Sequence, residues 1–177
     1  MGIWRIPQFH PPFQPQVKRD APPSLVPPAG LAIGLIAYWP MDEASGNALD
    51  AHSSHNGAQQ GTVGSSTGNV SGARVTGGGN NYFTVPDHAD LSGGASVSIT
   101  LATWVYSPGL AGGTICSKDN GSDAEWYLIH YASTNKFRFH MWSATGYSNE
   151  VMVQSTSTIS ANTWYHVVAR YDADTNE

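Results

Sequence analysis

Two stretches, Glu125-Trp-Tyr-Leu-Ile-His-Tyr-Ala132 and Lys136-Phe-Arg-Phe-His-Met-Trp142, decide the fold class. In the second, Phe137, Phe139 and Met141 fall on one side of a period-2 chain, and Arg138, His140 and Trp142 fall on the other. A strand with one face on a core writes this pattern, whereas a helix would scatter the same residues around its axis. Phe137, Phe139 and Met141 are therefore expected in the core. The opposite set is planar and polar, the kind of surface on which a sugar ring stacks and hydrogen-bonds. Trp126 and His130 alternate on the first stretch and are expected to join this ligand surface, with Tyr147 from the following loop.

Working outward, short β segments are predicted at residues 31–39, 58–63, 73–76, 82–85, 96–106, 114–118, 150–154 and 163–171. Turns rich in glycine and asparagine divide them, as in Gly77-Gly78-Gly79-Asn80-Asn81. Along 96–106, Val97, Ile99 and Leu101 alternate on one face, then Ala102, Trp104 and Tyr106 continue out of phase, which predicts a bulge near Leu101. Trp39, Trp104 and Trp164 sit in strongly apolar strands and are expected in the core. With no helical period in the chain, these segments predict an all-β, antiparallel two-sheet jelly-roll sandwich.

Composition agrees and excludes several classes. The chain has 177 residues, of which only 12% are charged. No run approaches the ~20 apolar residues of a membrane span. A single cysteine, Cys116, rules out a disulfide framework and a cysteine-based zinc site. The net charge of −5 argues against nucleic acid, which calls for clustered Lys and Arg.

The charge is unevenly divided. Residues 1–30 carry Arg5, Lys18 and Arg19 against Asp20, whereas residues 31–177 carry five cations against twelve anions. Eight of the eleven prolines also lie within residues 1–28, so this segment reads as an extended arm ahead of a domain at 31–177. Trp4, Ile6, Phe9 and Phe13 are out of place in a plain linker and suit an arm that docks into other subunits of an oligomeric assembly. Residues 1–10 lack the basic then apolar pattern of a cleaved leader. A particle assembled inside a cell, such as a virion, is the expected location, with the extracellular or cell surface as the alternative.

At the other end, residues 163–171 form an apolar strand followed by Asp172-Ala173-Asp174-Thr175-Asn176, which is turn chemistry. A return strand is expected after such a turn, supplied beyond Glu177 or by another chain through strand addition.

The series Gly34-Leu35-Ile36-Ala37-Tyr38-Trp39-Pro40-Met41-Asp42-Glu43, His55-Asn56-Gly57, Tyr82-Phe83-Thr84-Val85-Pro86-Asp87, Thr114-Ile115-Cys116-Ser117-Lys118 and Asn162-Thr163-Trp164-Tyr165-His166-Val167 resembles, in order and spacing, the laminin-G-like, concanavalin-A-like jelly-roll domains. That resemblance covers residues 34–177 and lacks the final strands of the family. It implies two antiparallel sheets used for carbohydrate or protein binding and adhesion.

Catalytic constellations are not expected. Gly64-Ser65-Ser66-Thr67-Gly68 matches G-x-S-x-G, but a nucleophile elbow needs a strand before it and a helix after it. His52 and His55 have H-x-x-H spacing without a helix or a glutamate base. No pair of carboxylates is placed on one strand as in glycosidases. Calcium is the one cofactor in prospect, though none is required. Asp119, Asp123 and Glu125 concentrate oxygen ligands around one turn, and Asp42, Asp50 and Asp87 form a second set if their loops converge. The expected protein is a non-enzymatic structural or adhesion module of a multi-subunit surface assembly, in the first place a virion (phage) structural or decoration protein anchored by its N-terminal arm. A carbohydrate-binding module of a secreted or cell-surface protein is the alternative, and an accessory domain of a larger glycan-processing enzyme the second.

Overall fold

The computed structural model describes residues 33–94, 96–119, 123–144 and 148–175. The arm residues Trp4, Ile6, Phe9 and Phe13, and the loop residue Tyr147, lie outside these. Among the described residues ten strands are formed: β1 (Ala58–Gln60), β2 (Gly64–Thr67), β3 (Gly72–Val75), β4 (Tyr82–Thr84), β5 (Ile99–Ser107), β6 (Gly113–Asp119), β7 (Ala124–Tyr131), β8 (Lys136–Ala144), β9 (Ser148–Gln154) and β10 (Thr163–Tyr171). A 3-10 turn at Ala89–Leu91 is the one helical element among the described residues. The chain is thus the all-β jelly-roll sandwich its alternation predicts.

Among the described residues every strand pairing is antiparallel. β6, β7, β8 and β9 form one sheet in chain order, β5 pairs with β10, and β1–β4 and β2–β3 are two-stranded ribbons. The core lies between the two larger sheets. Ile99 of β5 and Ala169 and Tyr171 of β10 meet Trp126 and Leu128 of β7 and Phe139 and Met141 of β8.

The register explains why this cluster closes. Opposing Trp126 to Met141 and Leu128 to Phe139 puts four large side chains on one face of neighbouring strands. Between β7 and β8, Asn135 adopts φ 49°, a left-handed conformation that its short polar side chain tolerates. At the end of the core the chain crosses at Gly93, where an added Cβ would stand 2.9 Å from Met141 Cε and 3.1 Å from Ile99 Cγ2. Only a glycine allows so close an approach. The Trp126 indole N–H donates to Leu91 O at 3.0 Å and fastens the same segment. Cys116 packs against the cluster, and burial pushes its thiol up to about 12, so it stays a protonated packing group.

Three expectations at the level of elements are corrected. Residues 33–39 form no strand, because their backbone groups are taken by the next loop. The Tyr38 amide donates to Asp50, and Tyr38 O accepts from Ala51 N. Residues 64–67, read as loop, form exposed strand β2 against β3. No helix follows Gly68, so the G-x-S-x-G match has no elbow geometry. The bulge expected near Leu101 is absent: β5 and β10 run in unbroken register from Ile99↔Tyr171 to Ser107↔Thr163. Register shifts fall instead in β6–β7, between Thr114 and Cys116 and between Lys118 and Asp119.

Candidate functional site

Arg138, His140 and Trp142 share the face of β8 that points away from the core, as their alternation predicts. Across the register, Ile129, Tyr127, Gln154, Met152 and Glu150 stand beside them. These groups are mostly matched to one another. The Arg138 guanidinium lies 3.5 Å from the Tyr131 ring centroid, and its Nε donates to Gln154 Oε1 at 3.3 Å. His140 Nδ1 pairs with Glu150 Oε1, and its ring stacks on Trp142 with an interplanar angle of 11°. Tyr127 packs edge-on against Trp142 and donates its hydroxyl to Asp119. Trp142 is only 9% exposed, so its ring faces are taken up within the protein.

Two members of the expected ligand surface are elsewhere. Trp126 and His130 occupy the inward parity of β7 and are buried, Trp126 inside the core cluster and His130 facing Phe137 across the register. That overturns their assignment to a ligand surface. Both parities of β7 are apolar, with Trp126 and Leu128 on one and Tyr127 and Ile129 on the other, so the sequence offers no contrast to orient it.

The converse exchange occurs on β5 and β10. Trp104 and Trp164 were expected in the core, yet both take the outward parity, and Trp104 is 45% exposed. Ile99, Leu101, Thr103 and Val105 turn inward instead. On the outer face Trp104 opposes His166 and Tyr106 opposes Trp164 in the register. Their rings meet at 5.0 and 5.3 Å between centroids. Two adjacent cross-strand pairs thus set four rings on one sheet surface, beside exposed Val168. The Tyr106 hydroxyl donates to Asn162 Oδ1 at 3.2 Å, which fixes the rim of this platform. Trp39 is half-buried and braces a loop, its indole N–H donating to His55 O at 2.7 Å. One signal pointed the right way: the apparent phase change after Leu101 is an outward aromatic row beginning.

The acidic sets do not gather as expected. Glu125 accepts from the Gly93 amide at 3.1 Å and pairs with the Lys118 ammonium at 3.2 Å, while Asp119 accepts from Tyr127. Among the described residues, Asp119, Asp123 and Glu125 do not form a group of three at metal-ligating distance. Asp42, Asp50 and Asp87 also stay apart. Asp42 accepts from Gly72 N at 2.7 Å, and Asp87 pairs with Lys118 at 3.0 Å, which draws its carboxyl below the usual carboxylate range.

Asp50 is a structural hub. One oxygen accepts from the amides of Tyr38, His52 and Ser53, and the other from the His55 amide and the Ser53 hydroxyl. Burial alone would raise its pKa, but the Ser53 hydroxyl and the amides outweigh it and hold the carboxyl far below its ordinary value. Among the described residues no helix is long and apolar enough to cross a membrane.

Comparison with known proteins agrees with this architecture. A family model described as the concanavalin A-like lectin/glucanases superfamily matches residues 77–177, more than half of the chain. No curated protein and no solved structure matches it.

Proposed function

This chain belongs to the concanavalin A-like lectin/glucanases superfamily, and we propose that it is a non-enzymatic adhesion module displayed on a multi-subunit surface assembly such as a virion. In this reading residues 1–30 anchor the protein to its assembly and the sandwich faces outward. The family supports a module of carbohydrate-binding or adhesion type. The observation that carries the reading further is the platform of Trp104, Tyr106, Trp164 and His166. Trp104, Tyr106 and His166 are exposed and Trp164 half-buried, and such tilted rings on a sheet face are costly to leave in water and suit the apolar face of a sugar ring. Bound glycan would stack on the indoles and hydrogen-bond to the neighbouring imidazole. Asp42, Asp50, Asp87 and Glu125 are engaged with amides, a hydroxyl and the Lys118 ammonium, which favours binding over hydrolysis.

Two experiments test the two halves of this proposal. On a glycan array, the full chain is expected to retain a defined set of glycans, and Trp104→Ala or Trp164→Ala to weaken their binding at least tenfold. Aromatic contacts of about 0.5–1.5 kcal/mol each, added to lost apolar burial, account for that size. Both tryptophans lie outside the core, so circular dichroism of the variants should match the parent. Equal binding by parent and variants would remove the platform from the proposal. Deleting residues 1–28 is expected to abolish incorporation into particles while leaving the sandwich folded; normal incorporation would sink the anchoring role.

A further inference from the structure

We propose that His55, His88 and Asp90 form a binding site for a divalent transition-metal ion of the zinc or copper type. The residues come from separate loops, one following Asp50 and one around the 3-10 turn, and the fold brings them together. One ligand atom from each lies within 4.8 Å of the other two. His88 Nδ1 and Asp90 Oδ2 are 3.4 Å apart. With bonds of about 2.0–2.1 Å, two ligands of a tetrahedral ion stand roughly 3.3 Å apart, so the pair has the required spacing once the ion replaces the Asp90 amide, from which His88 Nδ1 accepts at 3.2 Å.

His55 is prepared as the third ligand. Ser53 has one hydroxyl proton, which is taken by its two acceptor-only neighbours, Asp50 Oδ2 and Ile36 O. Its contact of 2.6 Å with His55 Nδ1 must then be donated by the imidazole. Neutral His55 therefore carries its proton on Nδ1 and leaves the Nε2 lone pair for a metal. A carboxylate behind a histidine, here Asp50 through Ser53 and directly at 3.4 Å, is the usual outer support of a metal-binding imidazole. The His55 and His88 rings meet edge to face at 4.8 Å, which keeps their nitrogens close.

The remaining closure falls on groups free to make it. The His88 and Asp90 side chains are 53% and 60% exposed, so both can swing toward buried His55. Close by, the Lys118 ammonium is paired with Asp87 and Glu125, which reduces its repulsion of a cation. Two imidazoles and one carboxylate favour zinc, copper or nickel over calcium, which prefers oxygen ligands throughout. Such an ion would tie residues 50–57 to residues 86–91. His52, the other histidine of the H-x-x-H spacing, does not belong to this group.

The test is calorimetric titration of the full chain with zinc chloride at pH 7.5 after chelator treatment, with calcium chloride as comparison. One equivalent of zinc is expected to bind, raising the melting temperature, with no calcium heat at the same concentrations. His88→Ala and Asp90→Ala should each weaken zinc at least tenfold. The exposed Asp90 side chain leaves the melting temperature of the metal-free protein unchanged when removed, whereas His88→Ala, which also loses the cap of the 3-10 turn, is read against its own metal-free melt. Cobalt in place of zinc should give the visible absorption of a tetrahedral ion, lost in His88→Ala. Absence of zinc binding, or equal affinity in the parent and in the double variant, would overturn the site and leave the His55–His88 contact as packing.

Discussion

Replacing Asp50 by alanine is expected to lower the melting temperature by roughly 6–12 °C. The carboxylate accepts from four backbone amides and one hydroxyl, more bonds than any other side chain makes to residues 36–55. Its side chain is fully buried. Removing it strands donors that water reaches only in part, at a cost of about 3 kcal/mol or more. For a chain of this size each kcal/mol is worth about 2–4 °C. Asp50→Asn keeps the shape but turns an amide N–H₂ toward groups that donate, so about half of the loss should remain.

The same group sets an acid limit. Its folded pKa lies well below the unfolded value of 3.8, so its stabilisation is complete above that value and drains away as pH falls beneath it. Thermal melts should therefore show the gap between the parent and Asp50→Asn narrowing below about pH 4. A parent-to-alanine difference under about 2 °C at pH 7 would mean that the loop has another anchor.

Leu128→Ala is the second large effect, expected at about 3–5 kcal/mol. Leu128 is 1% exposed, lies opposite Phe139, and is surrounded by a cluster drawn from both larger sheets. Its neighbours include Trp126 and Phe139, rigid rings that cannot collapse into the space vacated, so both the lost transfer energy and the cavity count. Urea unfolding should show a lowered midpoint at unchanged slope. Leu128→Met, nearly equal in volume, should cost less than about 1.5 kcal/mol. Similar losses for both variants would indicate that shape rather than volume governs this position.

Much of the fold was legible from alternation. Residues 136–142 place apolar and polar groups on opposite parities, and the structure buries Phe139 and Met141 while turning Arg138 and His140 outward. Residues 163–171 were bounded without error as β10. Residues 33–39 failed for a physical reason: apolar content predicts a strand, but a strand also needs a partner, and Asp50 claims the backbone of Tyr38.

The candidate site was less legible. The outward placement of Trp104 and Trp164 and burial of Trp126 and His130 depend on which parity of an apolar strand faces the other sheet. On β5 and β7 both parities are apolar, so the local pattern is silent, and the opposing sheet decides. Likewise nothing local links His55 to His88 and Asp90, whose meeting depends on loops brought together by long-range packing.

The sequence by itself determined the all-β class, the positions of most strands and the kinship with the superfamily, because these rest on alternation and turn chemistry within a few residues. Only the tertiary structure decided which aromatic rings are core and which are surface, and which histidines share a site. Those outcomes depend on contacts between distant segments, where the free energy of burial and not local pattern makes the choice.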